Sequence, residues 1–108
     1  MHVEGKKTYN KTRGEILNTI YDIIELQNGK MQISDSIRGR VFYQLSMYGY
    51  EWQLLYKITE LGYKRCEVSL TVTGERKDKE KELRTEFALL DSLLEGGSNV
   101  KINEEERQ

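Results

Sequence analysis

The chain has 108 residues, of which 37% are apolar and 32% charged, and a formal net charge of −1. That length holds one hydrophobic core, and so small a net charge supplies no global field toward nucleic acid or a membrane. A single cysteine excludes an internal disulfide and fits a reducing compartment. No apolar run approaches the ~20 residues that span a bilayer, and Met1-His-Val-Glu-Gly-Lys-Lys7 lacks the apolar region of a signal peptide. The expectation is a cytoplasmic protein without a membrane segment.

Residues 1–11 are polar and without period, and read as a flexible arm. Thr12-Arg-Gly-Glu15 then fits a capping box, in which Thr12 and Glu15 each satisfy the other's free amide. Behind it, Ile16, Leu17, Ile20, Tyr21, Ile23, Ile24 and Leu26 recur at helical spacing, over an arc wide enough for two contacts. Asn28-Gly29 ends this helix, with Gly29 expected as the left-handed residue. Met31 and Ile33 alternate with Lys30 and Gln32, so the segment near 30–34 is either a short extra edge strand or a crossing loop.

From Val41 to Val72 the pattern has period two. Val41, Tyr43, Leu45 and Met47 share a face with Trp52, Leu54, Tyr56 and Ile58, and with Cys66, Val68, Leu70 and Val72. A two-residue turn at Gly49-Tyr50 sets Met47 opposite Trp52, Leu45 opposite Leu54 and Tyr43 opposite Tyr56. The second hairpin admits two registers. A loop at Glu60-Leu61-Gly62, with glycine left-handed and Leu54 opposite Val68, is preferred to one at Leu61-Gly62-Tyr63. Residues 75–95 form a second helix with Leu83, Phe87, Leu90 and Leu94 as its buried stripe, stopped by Gly96-Gly97.

The expected fold is α+β: an αβββα two-layer sandwich over residues 12–97, with a three-stranded antiparallel meander and both helices on one face. Residues 98–108, ending Glu104-Glu-Glu-Arg-Gln108, read as a disordered acidic tail.

Little in the sequence points to catalysis. His2 is the only histidine and lies in the arm. Cys66 points inward and reads as a small buried hydrophobe. One histidine and one cysteine do not make a zinc site, and Gly96-Gly97-Ser98 follows a helix, the wrong polarity for a phosphate. Acidic pairs such as Glu80/Glu82 read as solvated, and Trp52 and Tyr56 as core. No enzyme activity, cofactor or metal is expected.

The order αβββα resembles the double-stranded-RNA-binding domain. That resemblance implies RNA contacts at the start of the second helix, where Arg76, Lys77, Lys79 and Lys81 stand. Asp78, Glu80 and Glu82 interleave with them, and the turn after the first strand is shorter than the RNA-contacting loop of that family.

The helix-free face of the sheet offers another surface. Phe42 and Leu55 are apolar residues on its polar side, and Arg38, Arg40 and Lys57 surround them. The leading expectation is a non-enzymatic interaction domain that meets a protein partner or a second copy through this face, a sheet edge or the Leu89/Leu93 flank. Duplex-RNA binding is the alternative.

Overall fold

The computed structural model describes residues 2–47, 49–74 and 78–94. Its elements are β1 (His2–Tyr9), α1 (Arg13–Leu26), β2 (Lys30–Asp35), β3 (Arg40–Met47), β4 (Tyr50–Gly62), β5 (Arg65–Gly74) and α2 (Lys79–Leu93). The strands form one antiparallel sheet in the order β1-β5-β4-β3-β2. The α+β class stands, but the αβββα order is replaced by βαββββα.

The two added strands are the sheet's edges. Residues 2–9, expected as part of an arm, pair along their whole length with β5, from His2↔Thr73 to Tyr9↔Cys66. The inward positions of β1 are Val3, Gly5, Lys7 and Tyr9, and only two of these are large apolar or aromatic side chains. Gly5 lies under α2, where a Cβ would come 3.1 Å from Leu83 Cδ2 and 3.2 Å from the Phe87 ring. Lys7 sets its ammonium over the Phe87 ring, 5.7 Å from the centroid, and pairs it with Asp91. The segment near 30–34, left open by the sequence, is the edge strand β2, paired to β3 with a bulge between Met31 and Ile33.

The capping box forms as expected. Thr12 N–H donates to Glu15 Oε1 at 2.9 Å, and Glu15 N–H to Thr12 Oγ1 at 3.2 Å. At the other end of α1 the left-handed residue is Asn28, with φ +58°, and not Gly29. Asn28 N–H bonds the Glu25 carbonyl and Gly29 N–H the Ile24 carbonyl, the paired bonds of a Schellman motif. Asparagine tolerates this conformation better than most residues. Gly29 instead makes room, since a Cβ there would lie 2.7 Å from the Tyr43 ring.

Both hairpins keep the expected faces and change the expected pairs. Leu45 lies opposite Trp52, Tyr43 opposite Leu54 and Val41 opposite Tyr56, two residues away from the sequence reading. Met47 pairs with Tyr50, and Gly49, with φ +79°, is the second loop residue rather than the first. In the second hairpin Gly62 pairs with Arg65 across a bulge after Glu60, and Lys64 takes φ +54°. Leu54 therefore meets Val72, so neither sequence-based register is adopted. Shifts by an even number leave every side chain on its face, so burial alone does not select among them. A steric feature at the far end fits the observed register. Trp52 pairs with Gly74, where any Cβ would lie 2.7 Å from Trp52 Cδ1.

Both helices cover one face of the sheet. Ile16, Leu17, Ile20, Ile23 and Ile24 of α1 and Phe87, Leu90 and Leu94 from the α2 region join the inward residues of β3, β4 and β5 in one buried cluster, with Leu83 packed at its margin. Leu89, expected off the main stripe, also packs against this cluster, while Leu93 is exposed. Among the described residues no helix is long and apolar enough to cross a membrane. The expected tail, residues 98–108, lies outside the described residues.

Candidate functional site

The apolar stripe of α2 faces β5 and β1, where Leu83 and Phe87 lie over Gly5. The adjacent side of the same helix carries Glu82 and Glu86, one turn apart. Both are buried. Sequence reading placed Glu82 among solvated acids and passed over Glu86. The available signal was position, because Glu86 lies three residues after Leu83 and four before Leu90, inside the apolar arc.

Glu86 is fully provided with partners. Its Oε1 accepts from the hydroxyls of Tyr43 and Tyr56, each at 2.7 Å, and its Oε2 accepts from Gln27 Nε2 at 2.7 Å. The tyrosines come from neighbouring strands, with rings 6.4 Å apart and within 5° of parallel. Gln27 comes from the C-cap of α1, so this carboxylate joins both helices to the sheet. Burial, and then the charge of Glu86, push both tyrosine hydroxyls far above their ordinary range. They therefore remain protonated donors. The residues read as plain core, Tyr43 and Tyr56, are core rings with a polar task.

Glu82 is different. Burial first, then the charges of Glu86 and Asp78, push its carboxyl up to about 7. Its Oε2 is buried without a hydrogen-bond partner, and so is Trp52 Nε1. Their relative position follows from the contacts of α2. Glu86 meets Tyr43 and Tyr56, and Asp91 accepts from Tyr9 at 2.6 Å and pairs with Lys7 at 2.8 Å. Glu82, a turn before Glu86, thus lies toward the opposite end of the sheet from Tyr9. Trp52, the inward residue preceding Leu54 on β4, is at that same end. A buried carboxyl near neutrality can hold or release a proton and can bind a polar group, and an unmatched indole N–H at the same end of the interior can donate to one. Cys66 has no such opportunity, because burial first and then Glu60 raise its thiol.

The helix-free face brings together most of the expected partner-binding residues. Phe42 lies directly opposite Leu55, rather than diagonal to it as the expected register implied, and Arg40 lies opposite Lys57. Ile33, which the sequence reading did not include, pairs with Phe42 from the other side and is 57% exposed. Arg38 stands apart in the turn after β2, where its guanidinium and amide both bond Asp35. Of the alternative nucleic-acid set, Lys79 and Lys81 fall in the first turn of α2, with Lys81 exposed; Arg76 and Lys77 lie outside the described residues.

No protein-family model matches this chain, and no curated protein matches it. Solved structures do resemble it. The crystal structure of Ara h 8.0201 superposes with a TM-score of 0.67 at 12% identity, covering 89% of this chain and 95% of that one. The crystal structure of the di-domain ARO/CYC BexL from the BE-7585A biosynthetic pathway gives a TM-score of 0.69 at 10% identity. That match covers 93% of this chain and 48% of the other, so this chain spans about half the length of the di-domain protein. At such identities the likeness is one of fold.

Proposed function

We propose that this is a small-molecule-binding domain, which holds a mostly apolar compound between α2 and the helix-covered face of the sheet. The observation that carries the reading is a pair of buried polar atoms, Trp52 Nε1 and Glu82 Oε2, which have no hydrogen-bond partner among the described residues and lie toward one end of the interior. An orphaned buried polar atom costs about 1–3 kcal/mol, and a ligand that supplies the missing partners recovers that cost on binding. Apolar walls with a few placed polar groups are the usual composition of such sites. One structural neighbour is an ARO/CYC di-domain from a biosynthetic pathway, which is compatible with small-molecule binding on this fold. On this reading the domain acts by binding and not by catalysis.

Trp52 is the only tryptophan in the chain, so its emission reports on the site directly. A thermal-shift screen of the full chain against apolar compounds, followed through that emission, is the test. The expected result is a compound that raises the melting temperature and changes the Trp52 spectrum together. Failure of every compound to move either would defeat the reading.

A second reading rests on a separate observation. Ile33, Phe42 and Leu55 form a continuous apolar row across three strands of the open face, beside the Arg40–Lys57 pair. That row supports contact with a protein partner or a second copy.

A further inference from the structure

One end of the sheet carries apolar side chains that the core does not use. β3 begins at that end, and β4 runs past it. Ile58 N–H donates to the Gly39 carbonyl at 2.8 Å, and β4 then continues to Gly62 before β5 returns from Arg65. At about 3.3 Å per residue, the β4–β5 hairpin extends roughly 13 Å beyond the start of β3. Every residue from Thr59 to Arg65 is exposed. Tyr63, in the turn, is 91% exposed, and Leu61, two residues before it, is 47% exposed. Ile37, in the β2–β3 turn at the same end, is 82% exposed. Exposure this high means that Ile37 and Tyr63 pack neither on the body of the domain nor on each other. Lys64, next to Tyr63, takes φ +54°, a conformation that glycine or asparagine adopts at less cost.

The charge of this end is also uneven. Residues 10–15, 35–39 and 59–65 hold five cations, Lys11, Arg13, Arg38, Lys64 and Arg65, against three acids. The whole chain, by contrast, has a formal net charge of −1. The strand ends gather these cations. Arg13 reaches Gly39, where its Cδ would lie 3.1 Å from an added Cβ. The Glu15 carboxyl is held low first by the Thr12 amide and then by the charges of Lys64 and Lys11, so both lysines stand near the start of α1. Of the three acids, Glu15 is engaged by Thr12 and Asp35 by Arg38.

We propose that this end is a docking tip for an anionic lipid surface, with Ile37, Leu61 and Tyr63 entering the headgroup region and Arg38, Lys64 and Arg65 meeting the lipid phosphates. A bilayer is soft and accepts side chains that stand singly on two turns, whereas a protein partner would need a separate pocket for each. Tyrosine has an apolar ring and a polar tip, which suits the headgroup level. The contact is peripheral and calls for no spanning segment. It shares no residue with the interior site, so the two readings stand or fall separately.

The test is co-sedimentation of the full chain with vesicles of phosphatidylcholine alone, or of equal parts phosphatidylcholine and phosphatidylglycerol. Binding is expected with the mixed vesicles and not with the neutral ones. It should weaken as salt is raised from about 0.1 M to about 1 M, which shortens the screening length from ~10 Å to ~3 Å. Lys64→Gln with Arg65→Gln should lower partitioning about thirtyfold, at about fivefold for each basic residue. Ile37→Ser with Tyr63→Ser should lower it about tenfold or more. All four positions are exposed, so each variant should keep the melting temperature of the unmodified chain. Insertion itself is read from Tyr63→Trp. Its emission should move to the blue on mixed vesicles and be quenched by brominated acyl chains, over a constant background from the buried Trp52. A chain that stays in the supernatant with mixed vesicles overturns the proposal. So does a serine pair that binds as tightly as the unmodified chain, because the contact is then one of charge alone. Tyr63→Trp emission that mixed vesicles leave unmoved also overturns it, as does capture of an acidic protein by this tip without any vesicle binding.

Discussion

The two faces of the sheet are made from alternate residues of the same strands, and they differ in what counts as an exception. On the helix-covered face Val41, Tyr43 and Leu45, Trp52 to Ile58, and Cys66 to Val72 in alternation are each 5% exposed or less. The exceptions there are polar atoms, among them the Tyr9, Tyr43 and Tyr56 hydroxyls, the Lys7 ammonium, the Trp52 indole N–H and the carboxyls of Glu82 and Glu86. On the open face the exceptions are apolar, namely Ile33, Phe42 and Leu55. Alternation sorts side chains between oil and water, and says nothing about function. Both candidate sites lie where the sorting is violated. The violations inside are the costlier ones, because a buried polar group has no water to fall back on.

The comparison can be broken or sharpened by substitution. The largest effect is expected at Phe87, under which β1, β5 and α2 meet. Phe87→Ala should destabilise the domain by about 3–5 kcal/mol in chemical denaturation. A loss below ~1 kcal/mol would mean that the covered face does not hold the fold together.

Next is the pH dependence of Glu82. Its folded pKa is raised from 4.5 to about 7, so the native state holds the proton more tightly than the unfolded chain. Its contribution is therefore fully present below about pH 4.5 and is lost as pH rises through about 7. Given some solvent access to the carboxyl, the loss should be about 1–3 kcal/mol. Glu82→Gln should be more stable than the native chain at pH 8 and show a flatter profile between pH 5 and 8. Identical profiles for the two proteins would place Glu82 in solvent.

Tyr56→Phe removes one of the donors to Glu86 and leaves Tyr43 and Gln27 in place. The expected cost is about 1–2 kcal/mol by urea denaturation, and a neutral result would show that the Glu86 cluster is not a closed network. The smallest stability effect is expected outside. Phe42→Ser with Leu55→Ser should change folding free energy by no more than about 1 kcal/mol. If the open face is used, the same pair should alter sedimentation behaviour or recovered partners. If neither changes, the contact reading of that face is lost and the interior one is untouched.

The sequence was legible where its pattern was redundant. Three strands and their inward residues could be read because twelve positions repeat one period, and the helix stripe Leu83-Phe87-Leu90-Leu94 because its spacing admits one face. Hairpin register was not legible, since shifts by two or four residues keep the same burial and the contact between Trp52 and Gly74 is long-range. β1 was hidden because Gly5 and Lys7 occupy inward positions for reasons that exist only once α2 is in place. The interior carboxyls were hidden for a related reason. A glutamate is usually a surface residue, and its exception depends on Tyr43, Tyr56 and Gln27 arriving from three other elements.

The place of β1 in the sheet also affects the order in which the protein can be completed. Its partner is β5, and residues 10–64 must be synthesised between the two. At ~5–20 residues per second the ribosome leaves the first strand without its neighbour for roughly 3–11 s. During that time a strand of strongly apolar alternation would be a template for other chains. Glu4, Lys6, Lys7 and the bare backbone of Gly5 make β1 a poor one. The composition that makes the strand hard to read also lets it wait, and the 84-residue separation of Lys7 and Asp91 means that the clasp closing the domain joins the earliest strand to the last described helix.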